Sequence, residues 1–274
     1  MSRAPLPVVE RISLRAQALL GWAAFAFVGP IAVSYLRIVR GHRLVGVAEA
    51  RRTYAQALST GRPTLVCANH LTMIDSVVLH HALAPLRDYL VDFRRFAWNL
   101  PAVENFTRSS FLRAVVYLGK CIPVDRAGDA EHHRRVLDAV AHLVTHGEVC
   151  TIFPEGGRSR TGRVEPASVT YGVGHLLRDL ERPLVVCVYL RGEHQATWGS
   201  VPERGDTLHI SAETIEPTTK ESGLRASRDL ARQVIGKLAS MEEAHFASRR
   251  AASSGNADAH AAAETGDSAG STTP

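Results

Sequence analysis

The chain has 274 residues, 45% of them apolar and 22% charged, ordinary values for a globular core. That is enough for one sizeable α/β domain with appendages, or for two small domains. The formal charge of +5 fits an anionic partner such as a membrane surface or a phosphate-bearing substrate, whereas no Lys/Arg-rich run interleaved with aromatics supports nucleic acid.

The first segment, residues 1–43, contains a stretch from Ala16 to Leu36 without a charged residue. Arg11 and Arg15 precede it, and Arg37, Arg40 and Arg43 follow it. Its length approaches that of a bilayer-spanning helix. Gly29-Pro30 interrupts it, and both flanks are basic, which leaves no charge asymmetry to orient a span. The expectation is a membrane-associated helical hairpin that breaks at Gly29-Pro30 and returns to the same interface. A true span and a signal peptide are the alternatives.

Residues 44–247 read as an α/β domain. Thr64–Ala68 is a short apolar strand, and Asp75–Leu83 continues as a helix. Tyr89–Phe93 and Cys121–Val124 resemble further strands. Val136, Leu137, Val140, Leu143 and Val144 fall at helical spacing, and Gly147 follows as a C-cap. Val149–Phe153 and Leu184–Leu190 are apolar throughout, as strands covered on both faces should be. Leu230, Val234 and Leu238 mark a late amphipathic helix. The expected architecture is a mixed central sheet covered by helices. Residues 248–274 are Ala, Ser, Gly, Thr and acidic residues without apolar periodicity, a composition that predicts disorder.

Four cysteines, Cys67, Cys121, Cys150 and Cys187, sit in apolar stretches without a CxxC pair, as buried reduced thiols do. His132, His133, His142 and His146 read as a solvated helix face, and no metal site is expected.

Three blocks carry candidate chemistry. Asn69-His70-Leu71-Thr72-Met73-Ile74-Asp75 follows the first strand, at the strand's carboxyl end where α/β sites form. His and Asp five apart do not share a helix face, so contact requires His70 on the turn and Asp75 just inside the helix. The pair then suits general-base work on a hydroxyl, and no GxSxG elbow supplies a protein nucleophile. Phe153-Pro154-Glu155-Gly156-Gly157-Arg158-Ser159-Arg160-Thr161-Gly162 follows a buried strand, its Gly pair followed by Arg and hydroxyl groups suited to phosphate, or else forms a basic surface turn. Gly119 to Arg126 ends in Asp125-Arg126, a second candidate anion contact.

In this order the blocks resemble the glycerol-3-phosphate and 1-acylglycerol-3-phosphate acyltransferase family, with its Asn-His-x4-Asp and Phe-Pro-Glu-Gly-Thr-Arg-Ser motifs. Asn69, His70 and Asp75 match the first motif, and Gly119 and Arg126 the second. Phe153, Pro154, Glu155, Gly156, Arg158 and Ser159 match the third, and Pro183 to Leu190 stands where the fourth belongs. The resemblance covers roughly residues 45–245. It implies His70 and Asp75 as the catalytic pair, with Arg126, Glu155, Gly156, Gly157, Arg158 and Ser159 holding the acceptor. The donor it implies is acyl-CoA or an acyl-carrier protein, and the acceptor a membrane lysolipid, first among them 1-acylglycerol-3-phosphate. The site would work at the cytoplasmic face of the membrane, on an anionic surface, with no metal or bound cofactor. Gly157 stands where the family has Thr, the fourth block lacks an internal Pro, and Glu165-Pro166-Ala167-Ser168 replaces a Lys-Pro-Gly-like stretch. These departures bear on the acceptor rather than on the reaction.

Overall fold

The computed structural model describes residues 5–107 and 109–267. The elements in chain order are α1 (Val8–Ser34), β1 (Arg43–Val45), α2 (Val47–Ser59), β2 (Thr64–Ala68), α3 (Asp75–Leu83) and α4 (Leu86–Val91). They are followed by α5 (Ser110–Leu118), α6 (Ala130–Thr145), β3 (Val149–Ile152), α7 (Gly172–Asp179), β4 (Leu184–Gly192), β5 (Thr207–Ile215) and α8 (Gly223–Asp267). The five strands form one sheet in the order β1-β5-β4-β2-β3. β2 pairs in parallel with both β3 and β4, while β5 runs antiparallel to β4. The sheet is mixed and covered by helices, as the sequence predicts.

β2 and β4 are buried along their whole length, so both faces must be covered. Their side chains alternate between two cores. Leu65, Cys67, Val185, Cys187 and Tyr189 pack with residues of α6, α7 and α8, including Val140, Leu176 and Val234. Val66, Ala68, Val186, Val188 and Leu190 pack on the other face with Tyr54 of α2 and Val78 and Leu79 of α3. The parallel register Cys67↔Ile152 and Ala68↔Val188 brings the carboxyl ends of β2, β3 and β4 to one edge. The loops that leave this edge carry the His70 block and the Glu155–Arg158 block.

Several sequence expectations are corrected. Tyr89–Phe93 is no strand: it falls across α4 and a 3-10 turn at Phe93–Arg95. Tyr89 donates its hydroxyl to His80 O, and Phe25, Tyr89, Phe93 and Phe96 form an aromatic cluster, so its apolar residues are used for helix packing. Cys121–Val124 forms only isolated bridges, with Asn99 and Ala102, and Pro123 offers no donor to extend the ladder. Cys121 is accordingly half-buried outside any strand, whereas Cys67, Cys150 and Cys187 are buried on strands, and all four are free thiols. β1 and β5 go beyond the elements read from the sequence, although β5 alternates with Leu208, Ile210 and Ala212 inward. The backbone of α8 is helical through Asp267, into the stretch whose composition predicts disorder. Alanine is frequent there and favours continuing a helix already nucleated upstream.

The N-terminal segment is one continuous helix, not a hairpin. α1 passes through Gly29-Pro30 unbroken, and a π-helical turn follows at Tyr35–Val39. Proline removes one helical hydrogen bond. That loss is outweighed by a stripe at four-residue spacing, Gln17, Gly21, Phe25 and Gly29, that is buried. Gln17 donates to Tyr117 O and Cys121 O, both at 2.9 Å, and a Cβ at Gly21 would lie 2.6 Å from Leu118 O. The opposite side of α1 is bare: Val9, Ile12, Leu19, Phe27, Ile31 and Ile38 are each at least 60% exposed.

Helices α7 and α8 approach most closely at Gly174, where an added Cβ would lie 1.8 Å from Ser227 O. Gly174→Ala should therefore destabilise the domain, at or above the upper end of the roughly 1–3 kcal/mol typical of overpacking. Gly236, on the exposed side of α8 with open space around it, should behave oppositely, Gly236→Ala adding about 0.5–1 kcal/mol. Urea unfolding midpoints of the two variants provide the check.

Candidate active site

β2 ends at Ala68, and Asn69 clips the turn that follows to β4. Its side chain donates to Leu190 O at 2.9 Å and accepts from Leu190 N at 2.8 Å. The chain then turns through His70–Ile74 into α3. Asp75, the first residue of α3, is buried and folds its carboxylate back over this turn. Oδ2 accepts from Leu71 N at 2.7 Å, from Thr72 N at 2.8 Å and from His70 Nδ1 at 3.0 Å, while Oδ1 accepts the Thr72 hydroxyl. Since the carboxylate accepts at Nδ1, the imidazole carries its proton there and leaves Nε2 free as a base. The ring also stacks on Phe153, with centroids 4.1 Å apart and planes at 21°. His70 is thus fixed in both tautomer and orientation.

His70 lies on the wall of a cleft of about 1330 Å³. Its floor is apolar, formed by Phe25, Val28 and Gly29 of α1 with Leu112, Val115 and Val116 of α5. At the His70 end the lining changes character to Gly156, Gly157, Arg158, Arg160, Arg126 and Trp198. Arg158 donates to Gly199 O at 3.0 Å and lies over the Trp198 ring at 4.6 Å. Neither Arg158 nor Arg160 has a carboxylate partner among the described residues. Arg126 pairs with Glu104 at 3.3 Å on the exposed rim. The block that carries Arg126 is anchored by Lys120, whose buried ammonium donates to Glu148 at 2.5 Å and to Phe93 O at 3.0 Å.

The acceptor residues read from the sequence therefore divide. Arg126, Gly156, Gly157 and Arg158 line the cleft, whereas Glu155 and Ser159 do not. Glu155 accepts the His70 backbone N–H at 3.1 Å. Ser159 is buried: its backbone N–H donates to His70 O at 2.8 Å, and its hydroxyl closes the turn onto Arg163. Both residues therefore brace the His70 turn from beneath. Gly156 has φ +70°, and a Cβ there would meet Thr170 Cγ2 at 2.4 Å, so glycine is required. Gly157 is open, with only Arg126 Nη2 near a would-be Cβ, at 3.9 Å. Arg160, part of the same sequence block, also lines the cleft. Trp198 is a cleft residue that the sequence reading does not single out, since it carries no local signal.

Burial raises the Glu155 carboxyl to about 7, opposed by the His70 N–H and reinforced by the carboxylates of Glu242, Glu165 and Asp75. A carboxyl whose folded value lies above its unfolded one stabilises the fold at low pH, and that contribution is lost as pH rises through about 7. Glu155→Gln keeps an oxygen for His70 N–H and removes the titration. The melting temperature of Glu155→Gln relative to the parent should therefore rise between pH 5 and pH 8. Each pKa unit is worth about 1.4 kcal/mol before allowance for partial exposure. Thermal melts across that range test it.

A comparison with curated protein sequences returned no match. The model of the family described as Acyltransferase matches residues 49–190, more than half of the chain. That span contains the His70–Asp75 pair, Arg126, the Glu155–Ser159 turn and most of β4, the residues from which the cleft's polar end is built. On this match the chain belongs to the Acyltransferase family.

Proposed function

We propose that the protein is a membrane-associated O-acyltransferase that moves a fatty acyl group from acyl-CoA or an acyl-carrier protein to the hydroxyl of a lysophospholipid, in the first instance 1-acylglycerol-3-phosphate. The observation that carries this reading is one cleft lined by a histidine base, several arginines and a long apolar floor. Those are the three things an amphipathic phosphate-bearing alcohol and an acyl chain require.

His70 Nε2 takes the proton of the acceptor hydroxyl as its oxygen attacks the thioester carbonyl. The imidazolium that forms is stabilised by Asp75, whose acceptor geometry is already complete before the reaction. Collapse of the tetrahedral intermediate breaks the C–S bond, and the imidazolium returns the proton to the departing thiolate. The products are an ester and a free thiol, and the scheme calls for no metal or bound cofactor. Arg158, Arg160 and Arg126 hold the acceptor's phosphate, with planar guanidinium groups suited to bidentate contact. The space over Gly157 also admits a headgroup bulkier than a bare phosphate, so other phosphate-bearing lysolipids are the second reading.

α1 supports a reaction at a bilayer surface. Val8–Val39 is long and apolar enough to cross a membrane, about 48 Å at 1.5 Å per residue. Its middle, however, is bound along the domain through Gln17, Gly21 and Phe25, which a helix surrounded by lipid would not be. We read it as lying in one leaflet with its bare side in lipid and the exposed Arg15 and Arg37 at anionic headgroups, each worth about 1 kcal/mol near such a surface. The site then faces the cytoplasm, where thioester donors are made.

His70→Ala should lower turnover by about 10²–10⁴-fold in a folded protein, and Asp75→Asn should also be severe because it removes the charge opposite the imidazolium. Near-normal turnover by folded His70→Ala would end this mechanism. A panel of lysolipids assayed with acyl-CoA and with acyl-carrier protein identifies the substrates. In a flotation assay the protein should rise with vesicles containing anionic lipid. Phe27→Glu with Ile31→Glu, on the bare side of α1, should leave it in the soluble fraction.

A further inference from the structure

Two loops frame the anion end of the cleft, and one buried guanidinium joins them. The first loop, residues 156–164, carries Arg158. The second, residues 193–200, carries Trp198 and is exposed over most of its length. They meet where a Cβ on Gly162 would lie 2.4 Å from Ala196 O. Arg191, near the end of β4 and 5% exposed, donates to Gly162 O at 2.5 Å on the first loop. It also donates to Gln195 O at 2.7 Å and Ala196 O at 3.4 Å on the second.

A buried cation needs a counter-charge. Glu242 of α8 supplies it, with Oε1 3.7 Å from Arg191 Nη1 and its carboxylate itself buried. The same carboxylate accepts from Arg163 Nε at 2.9 Å, from Val164 N at 3.1 Å and from the Tyr189 hydroxyl at 3.2 Å. It thereby grips the far end of the Arg158 loop. The second loop is tied onward to the site: Thr197 donates to Arg160 O at 3.0 Å, and Gly199 donates to Leu71 O at 3.0 Å. Trp198 and Gly199 O then hold the Arg158 guanidinium from its face and its edge. An exposed loop with few apolar contacts keeps its place through such hydrogen bonds. Arg191 and Glu242 both lie beyond the segment matched by the family model.

We propose that Arg191 and Glu242 are positioning residues for acceptor binding: together they clamp the two loops so that Trp198 holds Arg158 ready for the acceptor's anionic group. The C-terminal helix α8 is thus part of the binding machinery, and Trp198 is a specificity-determining residue. This rests on the reading that the acceptor is a phosphate-bearing lysolipid.

The test is steady-state kinetics of the full chain in anionic vesicles, with acceptor and donor varied separately. Glu242→Gln, Arg191→Lys and Trp198→Ala should each raise the acceptor KM roughly tenfold, as expected when a charge-assisted contact loses its alignment. Donor KM and kcat should stay within about twofold, since His70 and Asp75 are untouched. Loss of folded protein alone would lower apparent kcat and leave the acceptor KM unchanged, so the split separates positioning from scaffolding. Each effect on acceptor KM should largely vanish in an Arg158→Ala background, because the residues act through Arg158. Should Glu242→Gln fail to fold, Trp198→Ala on the exposed loop and Arg191→Lys carry the test. Unchanged acceptor KM in the folded variants, or effects that add fully to Arg158→Ala, would overturn the clamp. A parent enzyme inactive on every phosphate-bearing lysolipid would instead overturn the proposed function.

Discussion

The site is organised by the carboxylate of Asp75. An ionised carboxylate buried at the start of a helix is costly unless its lone pairs are filled. Here they are filled by two backbone N–H groups, one hydroxyl and the imidazole of His70. One group thus satisfies the turn between β2 and α3 and fixes the orientation of the His70 imidazole. The Asn-His-x4-Asp spacing follows from this geometry. Five residues are what the chain needs to leave the strand, present His70 at the cleft and return a carboxylate beneath it.

The rest of the scaffold supports that turn from three sides. Asn69 ties it to β4, Glu155 and Ser159 brace His70 through its backbone N–H and carbonyl, and Phe153 stacks on the ring. Residues of one sequence block therefore serve different ends: Arg158 faces the cleft, while its neighbour Ser159 is buried under it. A glycine with positive φ at 156 makes this division possible, since the backbone must reverse between the bracing carboxyl and the exposed guanidinium.

α1 has two sides with different surroundings. Its buried stripe forms part of the cleft floor, and its bare side carries the exposed Val9, Ile12, Leu19, Phe27 and Ile31. That floor lies within one helix diameter, about 10–12 Å, of the bare side. Gly21 allows α1 to lie close to the end of α5 at Leu118, and Gly29 leaves room for the Phe25 ring beside the groove.

The local geometry was legible in the sequence, because it depends on short-range order. The Asn69–Asp75 turn, the buried strands Thr64–Ala68 and Leu184–Leu190, and the helix from Asp75 to Leu83 all follow from spacing and apolar runs within a few residues. Features that depend on partners far along the chain were not legible. The continuity of α1 through Pro30 is decided by packing against α4 and α5, which outweighs one missing hydrogen bond. Tyr89–Phe93 has the composition of a strand, but no strand lies beside it and an aromatic cluster takes up its side chains. Trp198, Arg191 and Glu242 reach the site only because β4, a surface loop and α8 converge there. The sequence by itself determined that His70 and Asp75 meet on the turn after β2, and the strands that flank that turn, through local spacing. Tertiary structure alone decided which groups share the cleft, since contacts between residues 40 to 80 positions apart leave no periodic trace.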